Sequence, residues 1–333
     1  MKQHYREIDI LKGIAIFMVL LGHSIIVYPI DLNEKYEWCY YLHSFVSSVH
    51  MPLFFAISGF CFGFHDWKSF LIKKARRLVV PYFSFGLLGI FVNTFLASFV
   101  NKPESPGRMV MNLLSGQGSW FLCTLFVIFL IFPFIKNGYN SLRVGLIITI
   151  ILGGLQFFDF WPVVFNIDNV AKFIFYFSIG YLCKTICRNQ PDRWKRFIRF
   201  ERRTSVMAGS FIILILLVFV HIKLGESTHN LYVFGSIVTA FVGLITIVSL
   251  GFFASKYAFS KLFEETGKVS LQLFLFNGYF LTITRTITVR LLHITSPVII
   301  IAANLFVMYF VSFAFIKLVI ERVKPFRVVT GMV

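Results

Sequence analysis

The chain has 333 residues, 57% of them hydrophobic and only 14% charged, with 43 phenylalanines and a net charge of +17. Its mean hydropathy is +0.78. Soluble globular domains do not have this composition, and apolar runs long enough to cross about 30 Å of hydrocarbon recur throughout, so an all-α polytopic membrane protein is expected. The positive charge does not point to nucleic acid, because it gathers in alternate segments between apolar runs, as cytoplasmic loops do.

About ten transmembrane helices are expected, forming one integral-membrane domain over residues 1–333. In chain order they are Asp9–Pro29, Leu42–Phe64, Val80–Val100, Ser119–Ile135, Val144–Phe160, Ala171–Cys187, Val206–Ile222, Tyr232–Phe253, Ser270–Arg290 and Pro297–Val319. The first run lacks a small-residue cleavage site and is expected to stay in the working protein. Lys68, Lys73, Lys74, Arg76 and Arg77 follow the second run, and a dense basic stretch from Lys184 to Arg203 follows the sixth. The opposite loops carry Asp31, Glu34, Glu37 and Asp168 instead. That alternation places both termini in the cytoplasm. Arg285 and Arg290 break the pattern near the outer end of the ninth helix. They are either snorkelling side chains or ligands for something anionic.

The first helix carries the sharpest signal. His23 sits deep in an apolar run, where an ionisable group costs roughly 2.5 kcal/mol or more, so it is expected to face a protein interior or an aqueous path. At ~100° per residue Lys12 falls within about 20° of His23 and about 16 Å away along the axis, with Asp9 about 40° away. One stripe thus bears an acid, an amine and an imidazole; the alternative is a structural histidine bonded to a neighbouring helix. On the second helix Pro52 and Gly59 bend or loosen the spiral, His50 and Ser58 supply polar groups, and His43, Ser47 and His50 share a face. His50 is either a second acid/base group or a hydrogen-bonded core histidine. Further motifs are Lys73-Lys-Ala-Arg76-Arg77 before Pro81-Tyr82, Gly118-Ser-Trp120-Phe-Leu, and Gly267–Ser270 leading to Gln272 and Asn277. The five cysteines show neither metal spacing nor a disulfide framework, so no metal is expected.

Taken in order, Arg6-Glu-Ile-Asp9-Ile-Leu-Lys12-Gly13 running to His23, the Met51-Pro-Leu-Phe-Phe block to Ser58-Gly59, the basic pair before Pro81-Tyr82, and Trp120-Phe-Leu122 resemble the membrane-bound acyltransferase 3 family. The resemblance spans nearly the whole chain and is nearest to the sugar O-acetylase branch that lacks a fused extracytoplasmic esterase-like domain. It implies an O-acetyltransferase in a bacterial-type plasma (inner) membrane, moving an acetyl group from cytoplasmic acetyl-CoA to a hydroxyl of an extracytoplasmic or lipid-linked glycan. No metal is implied, and the oligomeric state is left open.

A thioester is already activated, so such an enzyme chiefly needs a base and a stabiliser for the oxyanion. His23 is expected to be the base or a transient acyl relay, with Asp9 orienting Lys12, and His50 beside them. Lys73, Lys74, Arg76 and Arg77 are expected to dock the phosphates of acyl-CoA. Trp120, Ser58 and Asn277 are the expected substrate contacts, Trp120 by stacking on a sugar face. Two motifs depart from the family: Lys12-Gly13 stands for its Arg-Gly, which keeps the charge without the planar fork, and Asn277 stands for the histidine of its Leu-Phe-His. Two competing classes are a glycan-precursor transporter, against which the lack of related halves counts, and a structural subunit of a glycan-assembly complex, which leaves the polar stripe unexplained.

Overall fold

A computed structural model describes residues 5–26, 31–95, 104–135, 143–144, 147, 164–225 and 229–332, without the side chains of 164, 224, 225 and 229–234. Helices lie in the expected spans where these are described: the second ends at Phe60 and not at Phe64, residues 27–29 of the first and 96–100 of the third lie outside the described residues, and the fifth, Val144–Phe160, falls largely outside them. We label them α1 (Arg6–Ile25), α2 (Glu37–Phe60), α3 (Trp67–Phe95), α4 (Pro106–Leu114), α5 (Trp120–Ile135), α6 (Ile167–Asn189) and α7 (Pro191–Glu201). Then follow α8 (Thr204–Gly225), α9 (His229–Ala254), α10 (Ser260–Lys268), α11 (Ser270–Arg285), α12 (Pro297–Ile320) and α13 (Lys324–Val329). Six of the helices are long and apolar enough to cross a membrane. No strand is found among the described residues, and the chain is an all-α polytopic membrane protein.

Two elements differ from the sequence expectation. The basic run Lys73–Arg77 is not a loop: it lies on α3, which is continuous from Trp67 to Phe95 and passes through a π-helical turn at Ala75–Val79. The Lys184–Arg203 stretch is likewise helical, ending α6 and forming the short α7. Charge density marked both as outside the bilayer, but lysine and arginine are good helix formers, so hydrophilicity alone does not make a loop.

The chain divides into two compact units, residues 1–57 with 186–313, and residues 58–185 with 314–333. In the first, α1 is the buried axis. Gly13 and Gly267 let α1 and α10 cross backbone to backbone: a Cβ on Gly13 would lie 1.9 Å from the Phe263 carbonyl oxygen, and one on Gly267 1.8 Å from that of Asp9. Gly251 of α9 receives Leu11, Gly22 receives Val46 of α2, and Gly243 of α9 receives Val49. Small residues at these crossings let helices approach where lipid removes the usual hydrophobic drive. At the His23 end of α1, Ile25 packs with Leu32, Cys39, Val289, Ile300 and Ile301 in an apolar cluster. By contrast, α8 presents Phe211, Ile212, Ile213, Leu216, Phe219 and Val220 outward, as a lipid-facing helix does.

In the second unit an aromatic core forms around Phe62, whose ring meets those of Phe70, Phe129, Phe132, Phe177 and Tyr181 at centroid distances of 5.0–6.2 Å. Gly59 permits the close crossing onto α6, since a Cβ there would lie 1.9 Å from the Phe177 carbonyl oxygen. The C-terminal α13 ends at Gly331, whose φ of +72° turns the chain back against the Arg77 carbonyl.

Candidate functional site

From Glu7 to Ile25, α1 is buried or half-buried at every position except one: His23 is exposed. Neither ring nitrogen of this imidazole has a hydrogen-bond partner among the described residues. A second imidazole lies beside it, because the Cδ2 of His43 is 3.9 Å from where a Cβ on Gly22 would stand. The histidines of α2 are tied down where His23 is not: His43 Nε2 is 3.1 Å from the Ser47 hydroxyl, and His50 Nδ1 is 2.5 Å from the Val46 carbonyl oxygen. Only a protonated Nδ1 can donate to a carbonyl, so the lone pair of His50 is on Nε2.

At the other end of α1, Lys12 donates to Asp9 Oδ1 at 2.9 Å, with Asp9 buried and Lys12 half-buried. The expected pairing of acid and amine is therefore present as an i,i+3 contact. The approach of Gly267 to the Asp9 carbonyl fixes where this pair stands. Arg6, one turn earlier, donates to Glu264 at 2.8 Å and to the Ser260 hydroxyl at 3.0 Å, clasping α10. The Arg6 bond, with Lys268 beside it, holds the Glu264 carboxyl below its usual range. Asn277 on α11 is buried and donates its amide to the carbonyl of Phe274 on its own helix. Asp9, Lys12, His23, His50 and Asn277 thus belong to the first unit.

The remaining expected residues belong to the second unit. Arg76 and Arg77 are exposed on the π-helical turn, and neither guanidinium has a partner among the described residues. Lys73 is also exposed, whereas the Lys74 ammonium sits 3.5 Å from the centroid of Phe129 and is held over that ring. A π turn gives the backbone one residue too many for a regular spiral, and such turns recur where side chains must be aimed. Arg327 of α13, which no motif singled out, is exposed on the short helix that leads to the Gly331 contact with this turn.

The Pro81-Tyr82 and Gly118–Leu122 motifs are parts of one construction. The Tyr82 hydroxyl donates to the Leu113 carbonyl at 2.7 Å and accepts from the Gly118 amide at 3.3 Å, fixing the segment that leads into Trp120. Opposite it, Phe165 and Asn166 take positive φ of 57° and 51°, a strained corner held by Asn166 donating to the Gly116 carbonyl at 2.5 Å. Trp120 stacks on Phe173 at 5.6 Å and is half-buried, so one face of the indole is already covered. Ser58 is half-buried near the end of α2. A cavity of about 720 Å³ in this unit is lined by Leu78, Tyr82, Leu113, Cys123, Phe165 and Ile174 among others. Its walls are almost wholly apolar, which suits a hydrocarbon chain and not the amide-bearing arm of CoA. Among the described residues no group of three or more His, Cys, Asp or Glu could hold a metal ion.

The sequence matches the acyltransferase domain of the acyltransferase 3 family over residues 5–317, which is nearly all of it. The chain belongs to the acyltransferase 3 family. As an acyltransferase 3 protein it is an O-acyltransferase embedded in a membrane by multiple helices. Among curated proteins and among solved structures, nothing matches.

Proposed function

We propose that this acyltransferase moves an acetyl group from cytoplasmic acetyl-CoA to a hydroxyl of an extracytoplasmic or lipid-linked glycan, in a bacterial-type plasma membrane. The observation that carries the reading is His23: the one exposed residue between Glu7 and Ile25 of α1, with an imidazole that has no hydrogen-bond partner among the described residues. In the reaction, a His23 nitrogen takes the proton of the sugar hydroxyl while that oxygen attacks the thioester carbonyl carbon. The resulting oxyanion collapses, the C–S bond breaks, and the imidazolium returns its proton to the departing thiolate, giving the O-acetyl ester and free CoA. In a relay version the imidazole carries the acetyl group between the two steps.

The other residues take supporting roles. Lys12, steered by Asp9, contributes positive charge to the first helix, and His50 offers a second basic nitrogen with its tautomer fixed by Val46. Arg76 and Arg77, exposed and without a partner among the described residues, suit the phosphates of CoA, to which their planar forks can donate in pairs. Lys73 adds charge there, while Lys74 supports the turn through Phe129. The exposed edge of Trp120 is available to an acceptor sugar, and Ser58 and Asn277 remain polar groups for substrate contact. Nucleic acid has no part in this reading; its partners are acyl-CoA, the glycan and membrane lipid.

The test is acetyl-CoA binding by the purified chain, together with acetylation of total cell-envelope glycan. Wild type is expected to bind acetyl-CoA and to acetylate glycan, and Arg76→Ala/Arg77→Ala to weaken binding. Absence of CoA binding by wild type at millimolar ligand would remove the donor from the scheme and favour a transport role.

A further inference from the structure

Arg285 closes α11 and is 1% exposed, the largest fully buried side chain among the described residues. It therefore does not snorkel, which settles the first of the alternatives its sequence position left open. Its Nε and Nη2 are both buried without a hydrogen-bond partner. Among the described residues no carboxylate pairs with it. The threonines around it commit their hydroxyl protons to their own helix: Thr284 to Phe280, Thr286 to Thr282 and Thr288 to Thr284.

The two unpartnered nitrogens are not a random pair. Nε–H and the outer Nη2–H point the same way along one edge of the guanidinium, the fork that takes both oxygens of a carboxylate in parallel bonds. A buried cation left open along that edge is unstable in an apolar surrounding unless a counter-anion arrives. The position also fits a ligand. Arg285 directly precedes the π-helical turn Thr286–Leu291, the kind of irregularity that recurs at functional positions. Val289, about one turn on, packs in the apolar cluster of Ile25, so Arg285 lies at the His23 end of the first unit. Asn304 at that end is fully buried; it donates to the Ser24 carbonyl at 3.3 Å and leaves its own Oδ1 without a partner.

We propose that the Nε–Nη2 edge of Arg285 is a subsite for a carboxylate on the acceptor, so that the glycan acetylated is an acidic one whose sugar carries a carboxylate beside its hydroxyl groups. This rests on the acyltransferase reading and adds the substrate class to it. A carboxylate held by the fork would fix the sugar ring at one end and present a hydroxyl at a set distance, while a neutral sugar would leave the cation uncompensated.

The experiment measures the unfolding temperature of the purified full chain, at matched ionic strength, with sodium glucuronate, glucose or sodium phosphate. Wild type, Arg285→Met and Arg285→Lys are compared. Glucuronate is expected to shift wild type upward, glucose to leave it unchanged, and phosphate to shift it less. Arg285→Met is expected to unfold no lower than wild type without ligand, since it removes an unpaired buried charge, and to lose the glucuronate response; Arg285→Lys keeps part of it. A glucuronate response that survives in Arg285→Met, or none in wild type, overturns the subsite. Phosphate acting as strongly as glucuronate would make it a site for any oxyanion and overturn the acceptor assignment. Acetyl-CoA, added separately, is expected to shift wild type and Arg285→Met alike; its failure to shift wild type would count against acetyl-CoA as the donor while leaving the glucuronate result intact.

Discussion

Adding a single methyl group at Gly267 tests how the first unit positions its polar residues. The new Cβ would stand 1.8 Å from the Asp9 carbonyl oxygen and 2.9 Å from the Gly13 nitrogen, whereas ordinary contact begins near 3.4 Å. These are backbone atoms that cannot swing aside, so α1 and α10 would have to part by about 1.5 Å, and overpacking of this sort costs about 1–3 kcal/mol. The upper end is expected, because the displacement also pulls on the Arg6–Glu264 bond and on the Thr266–Tyr309 hydroxyl contact of 3.0 Å. Gly209 of α8 supplies the control: a Cβ there meets nothing within 4 Å, so Gly209→Ala should stabilise by about 0.5–1 kcal/mol through helix propensity alone. Thermal unfolding in detergent followed by tryptophan fluorescence reads both. Gly267→Ala is expected to melt several degrees lower and to lose acyl transfer as Asp9 and Lys12 shift. A Gly267→Ala protein that melts with wild type, while Gly209→Ala rises, would refute the close crossing.

Glu201 ends α7 buried, where burial raises its carboxyl above the usual 4.5 and the Ser249 hydroxyl bonds to it. A carboxyl whose folded value is raised makes the fold less stable as pH climbs from about 4.5 through that raised value. Unfolding temperatures across this window should therefore fall in wild type and flatten in Glu201→Gln. Glu264 behaves oppositely: its carboxyl is held low by Arg6, so the clasp should weaken as pH drops below about 4.5, an effect absent in Glu264→Gln melting curves. Each of Arg76→Ala and Arg77→Ala should weaken acetyl-CoA binding about tenfold, the equivalent of about 1.4 kcal/mol, measured by titration calorimetry. His50→Gln is expected to preserve acetyl-CoA binding and lower the transfer rate, as assayed with labelled donor.

The Asp9–Lys12 pair of α1 was legible because a helix repeats every 3.6 residues, which puts residues three apart on one face; the stripe that spacing extends from them to His23 remains an expectation. The glycines of the same motif were less so. Gly13 signals a close approach, but the partner, the Phe263 carbonyl 250 residues later in the chain, is a matter of tertiary packing. Likewise Pro81-Tyr82 and Gly118–Trp120 could be marked as separate motifs, and only the Tyr82 hydroxyl reveals that they are joined. Charge counting found the basic residues at Lys73–Arg77 but could not separate Lys74, held over an aromatic ring, from Arg76 and Arg77, which have no partner among the described residues. Arg285 is the reverse case: its oddity was visible in the sequence, while its burial, which removes the snorkelling alternative, depends on neighbours that no local pattern names.

The central claim is that His23 performs the transfer step and does not merely support the fold. The most direct measurement compares wild type and His23→Ala for acetyl-CoA affinity and, on the same samples, for the rate of acetyl transfer to envelope glycan. An unchanged affinity with transfer reduced by about 10²–10⁴-fold, the usual contribution of a general base, is the predicted result. Transfer that continues at the wild-type rate in a folded, acetyl-CoA-binding His23→Ala protein would contradict it.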